Sequence, residues 1–323
     1  ILITGAGGFI GALLTERLLE QKKLHLDKKE HDISELVLID QFPIKQEYNS
    51  AIQIQKKCID ISDKEKCNEI FKREFDVIFH LAAVVSSHAE QDFDLGYLVN
   101  VDATKNLLEG ARRQEKVSRF FMTSSVAVFG LDLPEEIPDK FPALPLSSYG
   151  AQKAIAELLV SDYSRKGFCD GRVLRLPTVC VRPGKPNAAA SSFVSSIIRE
   201  PLNKESAICP VPVDLKLWII SPQTAVDSIL HMVALAEEEI KNSRTLHPPG
   251  LTVSVQEILD ELEKQAGDDV MQYIQYKRDQ KVEDIVLTWP SRFASEQAKS
   301  LGFPFDQNIG QIIESYRSDK LEK

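Results

Sequence analysis

The sequence predicts an α/β protein built on a doubly wound parallel sheet, followed by a smaller, less regular C-terminal lobe. Three observations carry that prediction. The chain opens on an apolar run, a glycine-rich turn and a helical period, ILITGAGGFIGALLTERLLEQ. Short apolar runs then alternate with helix-period segments to about residue 176, the order of strands joined by helical crossovers. Beyond that, Pro177, Pro183, Gly184 and Pro186 interrupt the pattern, and from about Asn242 the alternation is lost.

Composition bounds what such a chain does. Its 323 residues can bury a sizeable core, in one large domain or two. With 43% hydrophobic and 27% charged residues it has the balance of an ordinary soluble globular protein. A net charge of −9 argues against nucleic acid or an anionic membrane as main partner, while leaving room for a local basic pocket for a small anion. No apolar run is long enough to span a bilayer, and the first residues read as a strand, not a signal peptide. The absence of an initial methionine points to a residue or two before Ile1. Five scattered cysteines without a CxxC pair, and six histidines without zinc-ligand spacing, point to reduced thiols, no metal and a cytoplasmic protein.

In chain order, Ile1–Thr4 is apolar and β-branched, as expected of a buried parallel strand. Gly5, Gly8 and Gly11 follow as GxxGxxG before a helix. That spacing gives a tight turn, close approach of a pyrophosphate to the backbone, and helix–strand contact, with the helix N-terminus offering free N–H groups. A glycine-rich turn without ligand is the plainer alternative. ELVLIDQF is the second strand, and Asp40 at its end could accept bonds from both ribose hydroxyls and repel a 2′-phosphate, favouring NAD over NADP. Asp40 also reads as a simple strand-end turn residue. The polar stretch KKLHLDKKEHDIS before it looks like a surface insertion.

The third strand, in IQIQKKCID, ends near Asp60 and Ile61, where a carboxylate and an apolar side chain could edge and cover an adenine. The fourth, in FDVIFHLAAVVSS, ends in small residues that leave room for a cofactor to cross, with His80 expected as a satisfied core histidine. In the helix that follows, Asn100 interrupts an apolar stripe, and a buried amide there requires a partner. The fifth strand, RFFMTSS, ends at Ser125; a proline-rich loop then leads to the helix that carries Tyr149 and Lys153. Four-residue spacing puts these two on one helix face, where an ammonium would lower the pKa of a phenol from its usual ~10. Gly5, Asp40, Ala82 and Ser125 all fall at carboxyl ends of strands, where such sheets bind ligands. GRVLRL begins as the sixth strand, and LWIISPQTAVDSIL reads as a strand and helix returning to the main domain. The expected domains are therefore 1–176 with 217–237, and 177–216 with 238–323.

These motifs together, TGxxGxxG, a strand-end Asp, DI.D, HLAA, a strand ending in Ser125 and YxxxK, resemble the extended short-chain dehydrogenase/reductase family over nearly the whole chain. The resemblance implies a Rossmann-type NAD-binding domain with a smaller C-terminal substrate-binding lobe. It implies Gly5, Gly8 and Gly11 at the pyrophosphate, with Phe9 and Ile10 lending backbone N–H groups. Asp40 would hold the ribose, Asp60 and Ile61 the adenine, and Leu81, Ala82, Ala83 and Asn100 would border the cofactor. Tyr149 would be the acid/base, Lys153 its partner and a nicotinamide-ribose ligand, and Ser125 a hydrogen-bond donor to the reacting oxygen. Pro177 and Val179 would meet the nicotinamide carboxamide. A homodimer through two long helices is also implied.

Sugar-nucleotide epimerases and dehydratases of that family carry an Arg-Asp and a His-Val-x-Asp where this chain reads LKLWIISPQTAVD, and the dehydratases an acidic pair after the serine where this chain has SSVAVFG. Both departures argue against a nucleotide sugar. The stretch from Ser147 to Leu202 instead resembles a group of NAD enzymes that oxidise a four-carbon sugar acid at C2. For such a carboxylate, Arg182 and a helix start at Asn187–Ser192 offer a cation and N–H groups, so Arg182, Asn187 and Ser191 are expected at substrate with Ser125, Tyr149 and Ser87, the last beside Ser86 and His88. A loop bend at Arg182 and a helix cap at Asn187 remain the plain alternatives. The rival functions are an epimerase or dehydratase that keeps its cofactor, and a non-catalytic dinucleotide sensor.

Overall fold

A computed structural model describes residues 1–184, 189–240 and 243–321. In its first half, strand and helix alternate: β1 (Leu2–Thr4), α1 (Phe9–Gln21), a hairpin of β2 (Lys23–Leu26) and β3 (Lys29–Asp32), β4 (Glu35–Asp40), β5 (Gln53–Cys58), α2 (Lys64–Ile70) and β6 (Val77–His80). Next come α3 (Ser86–Gln91), α4 (Phe93–Tyr97), a π-helical turn (Leu98–Asp102), α5 (Ala103–Arg112), β7 (Arg119–Ser125), α6 (Ser148–Arg165) and β8 (Asp170–Leu176). The remainder comprises β9 (Thr178–Val179), α7 (Ser192–Leu202), β10 (Ala207–Cys209), β11 (Lys216–Ile220), α8 (Pro222–Ala234), α9 (Glu237–Ile240), β12 (Thr245–Leu246), β13 (Leu251–Ser254), α10 (Val255–Ala266), β14 (Ile274–Tyr276), α11 (Gln280–Val286), α12 (Glu296–Ser300) and α13 (Ile309–Leu321).

The chain divides into two units. The first, Ile1–Ser125, Ser148–Arg175 and Val226–Leu246, holds a seven-stranded parallel sheet in the order β12-β8-β7-β6-β1-β4-β5. Ile3 lies opposite Leu38 on one side and Phe79 on the other. β1 and β6 are buried along their whole length, as parallel strands covered on both faces must be. Leu2, Ile39, Ile78, Leu107, Phe120 and Ala156 join one core between sheet and helices. The strand order turns back at β1: the chain passes first to β4 and β5, then to β6 on the other side. A crevice opens at such a switch point, beyond the carboxyl ends of the strands.

The second unit, Val126–Ser147, Leu176–Ala225 and His247–Lys323, has its own core, around Val194, Ile197, Ile219, Ile258 and Leu259. Two expectations change here. The strand in LWII does not return to the large sheet: β11 pairs with β9 and β13, its turn-bounded apolar run serving a three-stranded sheet equally well. The returning element is the part of α8 from Val226 on, and the seventh strand of the large sheet is the two-residue β12. The proline-rich loop also belongs to this unit, where Ile137 N–H donates to Arg292 O and Ala294 N–H to Ile137 O. The polar stretch before β4 folds as the β2–β3 hairpin, whose Asp27 pairs with Arg119 and whose Lys28 pairs with Glu239. No helix among the described residues is long and apolar enough to cross a membrane.

Candidate active site

The switch point is shaped by glycines that nothing larger replaces. Gly5 leaves β1 with φ of +69°, and a Cβ there would stand 2.6 Å from the backbone nitrogen of Ala82. A Cβ on Gly11 would stand 2.2 Å from the carbonyl oxygen of Gly5, so α1 packs against the turn only because the residue is bare. Gly8 starts α1 without a side-chain cap, which leaves the first-turn N–H groups of Phe9 and Ile10 to an anion.

A groove follows from this turn across the strand ends. Gly5 and Gly8 line it beside Asp40, the last residue of β4. The Asp40 carboxylate accepts from Gly7 N–H at 3.0 Å and from Phe42 N–H at 3.1 Å, so it is at once the turn residue and an acidic wall of the groove. Asp60 and Ile61 line the far part; Asp60 is held by the Ser62 N–H and hydroxyl at 2.9 and 2.7 Å, and Ile61 reaches the core. Leu81, Ala82 and Ala83 border it past β6. Anion-ready N–H groups, an acidic residue at the second strand and small residues at the crossing fit a dinucleotide. Thr4, Ile39, Gln41, Ile59 and Val99 also line the groove and escaped the sequence reading. Gln41 and Ile59 are immediate neighbours of Asp40 and Asp60, and taking one residue on each side of a strand end would have found them. Val99 sits in the π-helical turn, which leaves no mark in the sequence.

Asn100, in the same turn, is buried, and its amide is taken up within the fold. Its oxygen accepts from Val84 N–H, and its nitrogen donates to Val84 O and to Gln152 Oε1 at 2.7 Å. His80 is the satisfied core histidine that was expected: its ring nitrogens meet the Thr4 and Thr104 hydroxyls at 2.8 and 2.9 Å, and burial pushes it down to about 3, neutral throughout the working range.

Ser125 ends β7, and Tyr149 and Lys153 sit on the first turns of α6. Tyr149 shares a hydrogen bond with Ser125. Lys153 is buried and donates to Thr123 O at 3.0 Å, with its ammonium 5.9 Å from the centre of the Tyr149 ring. The three thus meet in one place, at the same strand-end edge as the groove. The electrostatics departs from the helix-spacing argument. Tyr149 is half-buried as a residue, yet burial pushes its phenol up to about 12, with the Ser125 hydrogen bond pulling the other way. Burial lowers Lys153 to about 8, against the raising influence of Glu157. Desolvation of both groups outweighs the opposing influences of Ser125 on the phenol and of Glu157 on the lysine, a balance set by depth and not by spacing.

Ser87 lies in the first turn of α3, just past β6. Pro177 and Val179 lie in the second unit, Val179 in β9 against Ile220 of β11. Arg182 donates its backbone N–H to the Ser195 hydroxyl, and its carbonyl accepts from Arg199. Its Nε is buried and finds no acceptor among the described residues, and burial, then the Arg199 charge, lowers its pKa. Ser191 stands at the N-terminal cap of α7 without a side-chain capping bond, and Asn187 lies outside the described residues.

Comparison with known proteins adds names to this geometry. Residues 1–218 match the model of the NAD dependent epimerase/dehydratase family. A D-erythronate dehydrogenase of Haemophilus influenzae is 44% identical over 317 residues, 98% of each chain. A D-erythronate dehydrogenase of Cupriavidus necator is 44% identical over 319 residues, 99% of this chain and 98% of its own. Among solved structures, one described as a nucleoside-diphosphate-sugar epimerase from Agrobacterium tumefaciens superposes with a TM-score of 0.92 at 40% identity, covering 99% of this chain and 94% of its own.

Proposed function

The chain belongs to the NAD dependent epimerase/dehydratase family and is an NAD-dependent oxidoreductase, and we propose that it oxidises D-erythronate at C2 to 2-dehydro-D-erythronate. The observation that carries the chemistry is the Ser125–Tyr149–Lys153 cluster at the end of β7, the strand beside β6, whose own end borders the groove. The full-length likeness to two D-erythronate dehydrogenases supports the choice of substrate. NAD, when bound, accepts the hydride. Tyr149, ionised, takes the proton of the C2 hydroxyl as the hydride leaves; Ser125 holds that oxygen by a hydrogen bond and steadies the carbonyl that forms. Lys153 supplies the positive charge that favours the phenolate. Arg182, whose buried Nε finds no acceptor among the described residues, is the proposed partner of the substrate carboxylate.

The position of oxidation is read with deuterium. D-Erythronate labelled at C2 should give deuterated NADH, with a primary isotope effect under single-turnover conditions. Unlabelled NADH formed from that substrate would place the reaction at another carbon.

A second reading, a nucleotide-sugar epimerase, is favoured by the description of the Agrobacterium tumefaciens structure alone. The segment Leu215–Asp227 lacks the Arg-Asp and His-Val-x-Asp of such enzymes, which weighs against it. As for assembly, Phe93 on α4, Leu98 in the π-helical turn and Leu158 on α6 are exposed apolar side chains, 57%, 43% and 71% accessible, and support a homodimer through these helices.

A further inference from the structure

Tyr149, Lys153 and Glu157 stand four residues apart along α6, one turn after another on one face. Each engages a different one of the last three residues of strand β7. Tyr149 bonds Ser125, Lys153 donates to Thr123 O, and Glu157 accepts from the Ser124 hydroxyl at 2.5 Å. The third member is the unusual one. Glu157 is buried, 6% exposed, and takes a fork from Arg175 of β8, with Nε at 2.9 and 3.2 Å and Nη2 at 2.7 Å. A buried ion pair is no cheap source of stability, since well-packed apolar residues do as well or better. Its place, one turn behind the lysine, asks for another reason.

We propose that Glu157 is a positioning residue of the active site, anchored by Arg175, which ties α6 to β7 behind the Ser125–Tyr149 pair and sets a fixed negative charge one turn from Lys153. The proposal deepens the Ser-Tyr-Lys reading and rests on it. Burial alone works against the Lys153 ammonium, and Glu157 is the group that works for it. The other titratable groups around Lys153 do not replace it. His80 of β6 is buried and neutral, Tyr149 of α6 is a neutral phenol in the free protein, β7 offers only the Thr123 carbonyl, and Arg175 of β8 is a cation already paired with Glu157.

The pH dependence distinguishes this role from a merely structural one. The form that oxidises carries an ionised Tyr149 and a protonated Lys153, one proton fewer than the fully protonated pair. The pair titrates as a unit, and its first apparent pKa is dominated by Lys153. Removing the Glu157 charge makes that first proton leave earlier, but from lysine and not from tyrosine. Relative to the fully protonated pair, the reactive form is then as abundant as before. In Glu157→Gln, kcat/KM at saturating NAD should therefore meet the wild-type line at acid pH. It should level off at a pH lower by about one unit, with a plateau about tenfold lower.

Glu157→Gln takes from Arg175 its carboxylate partner, so the double variant Glu157→Gln/Arg175→Met, which removes both charges, is measured beside it and should show the same convergence. A loss that is equal at every pH, with the apparent pKa unmoved, would overturn the proposal, as would a profile identical to wild type. Full activity in Tyr149→Phe would instead remove the reading beneath it, so the two failures are told apart.

Discussion

As the proposed base, Tyr149 has a difficult starting point, a phenol whose burial pushes it up to about 12 beside a lysine that burial pulls down to about 8. Replacing it with phenylalanine keeps the ring and deletes the proposed proton acceptor. Tyr149→Phe should lower kcat/KM by about 10²–10⁴-fold, the usual contribution of a general base, while NAD still binds the groove as seen by fluorescence titration. The pH profile follows from the same pair. Because the reactive form has lost one proton, kcat/KM for oxidation should fall about tenfold for each unit of acidification and flatten once the pair passes its first apparent pKa, about 8. A rate indifferent to pH between these regimes would contradict the assignment. At this scale the sequence told which residues meet, since Ser125, Tyr149 and Lys153 follow from strand end and helix spacing. It did not tell the direction of the phenol's shift, because spacing carries no information on depth.

At the scale of elements, the parallel sheet was legible wherever an apolar run is long enough to have a character, as in β4 and β6, and His80 was read correctly as core from its place inside such a run. β12 has two residues and no period to read, and β11 looks the same whether it joins a large sheet or a small one. The groove was legible at its glycines and strand-end acids and illegible at Val99, which depends on a π-helical turn. One junction that no motif announces is Arg172, fully buried at the start of β8. Its Nη1 donates to Met232 O at 2.7 Å and Leu235 O at 2.6 Å, where α8 ends, and its Nη2 to Asp170 at 2.8 Å. A cation there satisfies the orphan carbonyls of a helix C-terminus and complements its dipole. Arg172→Met should cost about 3 kcal/mol and lower the thermal midpoint by several degrees, with the KM for NAD little changed. An unchanged midpoint by calorimetry would show that the junction does not hold the sheet edge.

At the scale of the whole molecule, an acidic chain exposes Leu158 at 71% on the outer face of α6, among other apolar side chains of neighbouring helices. If those helices form a homodimer, Leu158→Asp should convert it to monomer in sedimentation at micromolar concentration, and a wild-type protein that sediments as a monomer would exclude the arrangement. The central claim concerns what leaves the enzyme. An epimerase returns its hydride to the substrate and accumulates no NADH; a dehydrogenase releases one NADH for each substrate oxidised. The most direct measurement is therefore NADH formed per substrate consumed, with D-erythronate, its stereoisomers and a set of nucleotide sugars offered separately with NAD. A D-erythronate dehydrogenase gives one NADH per D-erythronate and does not turn over the nucleotide sugars; consumption of a nucleotide sugar without NADH, and none of D-erythronate, would overturn the proposed function.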